Sequence, residues 1–267
     1  MSDRPEPSNA GRLVERFRAA RGDPRWAVLE GFHPLKHALR FGAEIVVAAT
    51  VDPDRVTGLA RALAPELIGR IETRLVPVPP QVFERLVPTP PSTAVVAIAR
   101  RPVIGLTDVL AAAGDAPVVL LENPARLGNL GAAVRVAAAA GAAGLIAVGS
   151  HDPWHPEALR GGAGLQFALP VARVDSLPTG DRGLGSRQLV AIDPTGEPLC
   201  RDRIAPGAVL AFGSERQGLS SELLGRAELQ LAIPMREGVS SLNLATAVAV
   251  LLYACRSREA APGRSAE

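Results

Sequence analysis

Three short stretches hold most of the residues able to do polar chemistry. The first is Glu122-Asn-Pro-Ala-Arg-Leu-Gly-Asn-Leu-Gly-Ala-Ala-Val-Arg135. Gly128 and Gly131 permit close backbone approach, and Asn129 is a favourable residue to open a helix. Arg135 interrupts an otherwise apolar run from Leu130 to Ala140. A lone arginine there must reach solvent, an anion or a carboxylate. The second stretch is Gly213-Ser-Glu-Arg-Gln-Gly-Leu219, directly after the apolar run Val209–Phe212. The third is Ile233-Pro-Met-Arg-Glu-Gly-Val-Ser-Ser-Leu-Asn-Leu-Ala-Thr246, where Ser240, Ser241 and Asn243 crowd the entrance to a long apolar helix. Each has a plainer reading: capping for Asn129, Ser241 and Asn243, a solvated turn for Glu215, a surface arginine for Arg135.

Other chemistries lack their residues. No strand-loop-helix carries G-x-G-x-x-G, and Gly161-Gly-Ala-Gly164 lacks the third glycine, which disfavours a nicotinamide dinucleotide fold. Cys200 and Cys255 lie far apart and form no metal-like pair, so both read as ordinary thiols and no metal is expected.

The elements that must position the three stretches follow from hydrophobic periodicity. Strands are predicted at Val118–Leu121, Leu145–Val148, Leu189–Ile192, Val209–Phe212 and Leu229–Ile233. Helices are predicted at Leu130–Ala140, Pro156–Arg160, Ser221–Ala227 and Leu242–Arg258. Strands alternating with helices imply a parallel sheet covered on both faces. Ligands of such sheets bind beyond the carboxyl ends of the strands, so the loops after Leu121, Val148, Phe212 and Ile233 matter most. The preceding region reads as a small α/β unit with helices at Arg12–Arg21, Pro34–Arg40 and Val56–Leu63. Its strands are predicted at Trp26–Leu29, Glu44–Ala49 and Val95–Ala99. Pro-rich punctuation at 77–92 and again near 101–116 separates the two. The expected division is 1–104, a linker at 105–116, a second domain at 117–260 and a disordered tail at 261–267.

Composition fits that plan. Of 267 residues, 47% are hydrophobic and 3% aromatic, so Ala, Val, Leu and Ile must fill the core. No apolar run reads as a transmembrane helix, and the charged N-terminus lacks the apolar region of a secretory signal. A cytoplasmic location is expected. Residues 1–104 hold 15 basic and 11 acidic side chains, the remainder 14 and 16. The basic excess of the first region suits a polyanion, although an arginine bias also follows from a GC-rich coding sequence. His33, Lys36, His37 and Arg40 cluster on one short predicted helix, which reads equally as an RNA contact or a solvated face.

Taken together, the order and spacing of the motifs are specific. N-x-G-x-x-x-R, a strand ending in G-S-E-x-x-G-L, then I-P-M followed by S-S-L-N resembles the three signature motifs of the SpoU family. That family, also called TrmH-like, belongs to the SPOUT RNA methyltransferases. Pro156, Arg160, Gly164 and Leu169-Pro170 resemble its short arginine-containing helix and the segment that follows. Glu30-Gly31-Phe32-His33 and the Thr89 to Ala99 stretch resemble the opening and close of the small ribosomal-protein-like domain of many members. The sequence departs from the pattern in places. Arg126 and Leu127 stand where Asp-Pro is frequent, Gly162 where a serine is common, and Thr93-Ala94 where Gln-Gly is frequent.

The resemblance implies a SPOUT parallel-sheet domain with a trefoil knot, preceded by an RNA-binding α/β domain. It implies methyl transfer from S-adenosylmethionine to a ribose 2'-hydroxyl of RNA, ribosomal RNA ahead of transfer RNA, by a homodimer built on the C-terminal domains. Asn129, Arg135, Glu215, Ser241 and Asn243 are then expected to line the reacting pocket, with Glu215 orienting Arg135 or Asn243. Gly213, Ile233 and Leu242 are expected against the cofactor, with Val148 and Gly149 close by. His33, Lys36, Arg40 and Arg160 are the expected RNA contacts. A non-catalytic RNA-binding protein on the same fold is the competing expectation.

Overall fold

A computed structural model describes residues 9–112, 114–178, 184–239 and 241–256. The tail expected at 261–267, and Ser240, lie outside the described residues. The chain forms two compact units, one of residues 1–103 and 154–168, the other of 104–153 and 169–267. The first unit therefore takes in a segment that sequence analysis placed with the second.

The first unit runs α1 (Asn9–Gly22), β1 (Trp26–Glu30), α2 (Phe32–Arg40), β2 (Ile45–Thr50) and α3 (Pro53–Leu63). It continues with α4 (Ile68–Glu72), β3 (Leu75–Pro77), α5 (Pro80–Phe83) and β4 (Val95–Arg100). The strands lie in the order β1-β4-β2-β3, with β4 antiparallel to both its neighbours. Apolar periodicity revealed β1, β2 and β4. It did not reveal β3, whose three residues are too few to show alternation. Local signals set the helix starts: Asp52 accepts from the Arg55 amide at 2.9 Å and Pro53 opens α3. Phe17, Val28, Val96, Ile98 and Leu86 form the core between α1 and the sheet. The expected opening motif and closing strand meet here, since the Gly31 amide donates to the Val95 carbonyl and the Phe32 amide to Thr93 Oγ1, both at 2.9 Å.

The second unit runs α6 (Leu106–Leu110), β5 (Val118–Glu122), α7 (Leu127–Ala140) and β6 (Gly144–Val148). The chain then passes through α8 (Pro156–Gly161), which belongs to the first unit. It returns as β7 (Val171–Val174), β8 (Leu189–Pro198), β9 (Val209–Phe212), α9 (Ser221–Arg226), β10 (Leu229–Ala232) and α10 (Leu244–Arg256). Six strands form a wholly parallel sheet in the order β10-β8-β9-β5-β6-β7. This is the α/β parallel sheet expected. Val118, Val119, Leu120 and Leu121 are all fully buried, as a central parallel strand covered on both faces requires. Burying each such side chain is worth roughly 1.5–3 kcal/mol. α7 and α10 pack against each other.

Strand order reverses between β5 and β9. Chain proceeding from β5 builds outward through β6 and β7, whereas β8, β9 and β10 fill the other side. The crevice beyond the carboxyl ends at such a reversal is where open α/β sheets bind ligands. Leu121 of β5 lies beside Phe212 of β9, so the loops that leave these strands start as neighbours. Those loops carry the first and second motifs.

Within the first unit, α8 packs on β1 and the turn Leu165–Phe167 packs on α2. Glu30, at the end of β1, is buried and accepts from Arg21 at 2.6 Å and from Arg160 at 2.9 Å. A carboxylate so far from water needs such partners. Gly164 closes the turn with φ +76°, and a Cβ there would lie 2.6 Å from the Pro34 carbonyl oxygen. Only glycine fits both demands. Among the described residues no helix is long and apolar enough to cross a membrane.

Candidate active site

The two neighbouring loops are tied together by one carboxylate. Glu215, from the loop after β9, accepts from the Asn129 amide nitrogen at 2.6 Å through Oε1 and from the Ala125 backbone amide at 2.9 Å through Oε2. Asn129 in turn accepts, through Oδ1, from Asn243 Nδ2 at 3.2 Å. Residues from all three motifs thus form one hydrogen-bonded chain, Asn243 to Asn129 to Glu215. Partial burial pushes the Glu215 carboxyl up. The bonds from Asn129 and Ala125, with the charge of Arg126, outweigh that and hold it below the usual carboxylate range. It is ionised at neutral pH and acts as an acceptor.

Helix geometry explains why these amides are available. Sequence analysis read Asn129 as opening a helix, but α7 begins at Leu127 with Arg126 in the capping position. Asn129 sits inside the first turn, so its side chain is not spent on the helix end. Asn243 does both jobs: its Oδ1 accepts from the Ala245 amide at 2.9 Å at the start of α10, while its Nδ2 reaches Asn129.

A cavity of about 330 Å³ opens beside this chain. Gly213, Glu215, Ile233, Ser241 and Leu242 line it, which brings together five of the residues expected from sequence. Ile192, Asp193, Phe212, Met235 and Leu244 also line it and were not singled out. Apolar residues at strand ends and helix starts carry no signal that separates a lining residue from a core residue. Gly213 is required by packing: a Cβ there would lie 1.9 Å from the carbonyl carbon of Gly218. The loop closes on itself through paired Ser214 and Gly218 backbone bonds of 3.1 and 3.0 Å.

The remaining expected residues stand elsewhere. Val148 ends β6 and Gly149 follows it, and neither lines this cavity. Their backbone is taken up: the Val148 carbonyl accepts from the Asn123 amide, and the Gly149 amide donates to the Val174 carbonyl, both at 2.9 Å. Arg173 Nε donates to the Gly149 carbonyl at 2.8 Å. Arg135 is exposed on α7. Among the described residues it has no hydrogen-bond or ion-pair partner. Glu215 therefore bonds Asn129 rather than Arg135 or Asn243.

Of the expected RNA contacts, His33 is exposed and Lys36 is buried. Arg40 is paired with Glu66, and Arg160 with Glu30. His37, between them, is half-buried with Nδ1 2.7 Å from the Ala163 carbonyl. A carbonyl only accepts, so Nδ1 carries the proton.

Glu122 is a positioning residue that sequence reasoning missed. Its carboxylate accepts from both the amide and the hydroxyl of Ser220 at 2.7 Å, and Ser220 Oγ caps α9 by accepting from the Leu223 amide at 3.2 Å. The end of β5 thereby holds the far side of the second-motif loop. An acidic residue directly at the carboxyl end of a buried strand was the available signal.

The chain is similar to known proteins over most of its length. Residues 116–253 match the SpoU rRNA Methylase family. The chain is 30% identical over 261 residues to a 23S rRNA (adenosine(1067)-2'-O)-methyltransferase of Streptomyces laurentii, covering 94% of this chain and 93% of that protein. It is 31% identical over 213 residues to a 23S rRNA (uridine(2479)-2'-O)-methyltransferase of Streptomyces viridochromogenes, covering 76% and 74%. Among solved structures it resembles the SpoU methyltransferase AviRb of Streptomyces viridochromogenes in complex with AdoMet. The TM-score is 0.75 at 27% identity, covering 92% of this chain and 98% of that one. The AdoMet-bound rRNA methyltransferase of Sinorhizobium meliloti gives a TM-score of 0.73 at 27% identity, covering 94% and 96%.

Proposed function

The chain belongs to the SpoU rRNA methylase family, and from that premise we propose that it methylates a ribose 2'-hydroxyl of ribosomal RNA, with S-adenosylmethionine as methyl donor. The observation that carries the proposal is the chain Asn243 to Asn129 to Glu215 beside the cavity lined by Gly213, Ile233 and Leu242.

The cavity fits the donor. Its volume of about 330 Å³ lies within the range of roughly 300–1,000 Å³ usual for small-molecule sites. Ile192, Phe212, Ile233 and Leu242 offer apolar walls for adenine, and Gly213 lets backbone approach closely. When bound, S-adenosylmethionine supplies an electrophilic methyl group on its sulfonium.

The protein's own task is to hold a weakly nucleophilic hydroxyl in line and to help remove its proton. Asn129, fixed at one end by Glu215 and at the other by Asn243, positions the hydroxyl together with Ser241. Arginine is too basic to serve as an ordinary base. Arg135 instead holds phosphate and stabilises the developing alkoxide, and a phosphate oxygen or solvent takes the proton.

The first unit serves as RNA reader in this account, through His33, Arg40 and Arg160, whereas burial withdraws Lys36 from the expected set. For Arg40 and Arg160, RNA phosphate competes with Glu66 and Glu30. The active form is a homodimer joined through the second unit. The exposed apolar face of α10, with Val250 and Tyr253, supports that arrangement. A trefoil knot in the second unit and action in the cytoplasm complete the reading. The return of α10 from the edge strand β10 to pack on α7 suits a threaded chain.

Incubating the purified protein with tritium-labelled S-adenosylmethionine and either a 23S ribosomal RNA transcript or bulk transfer RNA tests the proposal. Label should enter the ribosomal RNA and survive alkaline hydrolysis as a dinucleotide, because a methylated 2'-oxygen cannot attack the adjacent phosphate. Label confined to transfer RNA, or released as free methylated bases, contradicts it.

A further inference from the structure

A second cavity, of about 450 Å³, adjoins the site on the Asn129 side and is lined by Ala125, Arg126, Asn129, Glu215 and Arg216. Glu215 and Arg216 line both cavities, so the two share a wall. The second cavity sets two guanidinium groups beside the amide and carboxylate of the proposed catalytic chain, whereas the first adds Ile192, Phe212, Ile233, Leu242 and Leu244 to its wall.

Arg126 and Arg216 are both exposed. Among the described residues neither side chain makes a hydrogen bond or ion pair, in contrast to Arg40 and Arg160, which carboxylates already hold. Glu215 faces Arg126 closely enough for that charge to lower its carboxyl pKa. Glu215, however, spends its two oxygens on Asn129 and Ala125. The cavity thus keeps cationic donors beyond what its one carboxylate uses.

The geometry points to this second cavity as the seat of the RNA phosphodiester next to the methylated ribose, with Arg126 and Arg216 as its clamp. The inference rests on the proposed methyl transfer and gives the adjoining phosphodiester a seat of its own, in addition to the phosphate contact assigned to Arg135. A 2'-hydroxyl directed at the first cavity from beside Asn129 has the 3'-phosphate of its own nucleotide as its nearest anion. The second cavity, on the Arg126 side of Asn129, offers that phosphate a cationic seat. Planar guanidinium groups suit such an anion because they offer paired donors in a fixed fork. Arg126 and Arg216 are substrate-positioning residues in this account, distinct from the RNA contacts expected on the first unit.

The test uses the full-length protein, a 23S ribosomal RNA transcript and S-adenosylhomocysteine as separate probes. Each lost phosphate contact to single-stranded RNA lowers the slope of log K against log salt by about 0.7. Because both arginines clamp one phosphate, Arg126→Ala with Arg216→Ala should flatten the slope by about 0.7 and raise KM for RNA more than it lowers kcat. Arg126→Lys with Arg216→Lys should keep the slope, since charge is retained. Arg126→Ala alone should leave S-adenosylhomocysteine affinity, read by calorimetry, within about twofold. An unchanged slope in the double alanine variant overturns the clamp. So does a loss of more than about tenfold in S-adenosylhomocysteine affinity for Arg126→Ala, which assigns the cavity to the methyl donor instead. Wild-type protein that binds no S-adenosylhomocysteine is a failure of the methyl-donor reading, and it registers on a readout separate from the salt slope.

Discussion

Asn129 donates to Glu215 at 2.6 Å across 86 positions of chain, and this single bond joins the loop after β5 to the loop after β9. It gives Glu215 a supporting role. The carboxylate holds the group proposed to position the substrate hydroxyl, and its lowered pKa suits an acceptor better than a proton carrier.

Replacing Glu215 by glutamine should therefore damage catalysis nearly as much as replacing it by alanine. Two donors, Asn129 Nδ2 and the Ala125 amide, need an acceptor oxygen each, and glutamine offers one. We expect kcat to fall by more than about tenfold in both variants, or about 1.4 kcal/mol of barrier. Steady-state kinetics with saturating RNA checks this. Full activity in Glu215→Gln contradicts a role that depends on two acceptors.

Arg135→Ala should abolish methyl transfer without cost to the fold. The side chain is exposed on α7, so stability should move by no more than about 0.5 kcal/mol. S-adenosylhomocysteine binding should hold. Retention of more than about a tenth of wild-type kcat, a barrier change under about 1.4 kcal/mol, removes Arg135 from the mechanism.

The three motifs were legible because their order and spacing are local patterns, and the strands that carry them are unbroken apolar runs. β7 was not seen, since Val171–Val174 is short and holds Arg173. Glu215 was expected to meet Arg135 or Asn243, and only the fold shows that Asn129 stands between. The largest surprise is the segment 154–168, which follows β6 in sequence yet completes the first unit. Its anchors, Arg160 to Glu30 and Gly164 against Pro34, span more than a hundred residues and leave no periodic trace. Removal of residues 1–104 would consequently strip Trp154 and Leu159 of their cover and Arg160 of its partner Glu30.

Gly213→Ala should disable the site through geometry alone. The added carbon has no room beside the Gly218 carbonyl, so the 213–218 loop must open. Overpacking of this kind costs roughly 1–3 kcal/mol. S-adenosylhomocysteine binding should be lost while circular dichroism remains that of the folded protein. Wild-type affinity in this variant shows that the loop does not form the cofactor wall.

Acidification should loosen the first unit through His37. Burial lowers its pKa from the ordinary 6.5; Lys36, Arg40 and His33 add to that, and the bond to Ala163 opposes it. The folded state thus prefers the neutral ring. Its contribution is present above pH 6.5 and declines as pH falls below that value toward the lowered folded pKa. Melting curves of wild type and His37→Gln at pH 7.5 and pH 5.5 measure it. The wild type should lose more on acidification than the variant, and equal losses would show that His37 does not couple folding to protons.

The central claim is methylation of a ribose 2'-oxygen in ribosomal RNA, and mass spectrometry of ribosomal RNA from a strain lacking the protein tests it most directly. Digests should lack one 2'-O-methylated nucleotide that the parent strain contains. Wild-type protein supplied in trans should restore it, and Asn129→Ala should not. Identical methylation in the parent and deleted strains, or a missing methyl group that sits on a base, would contradict the account.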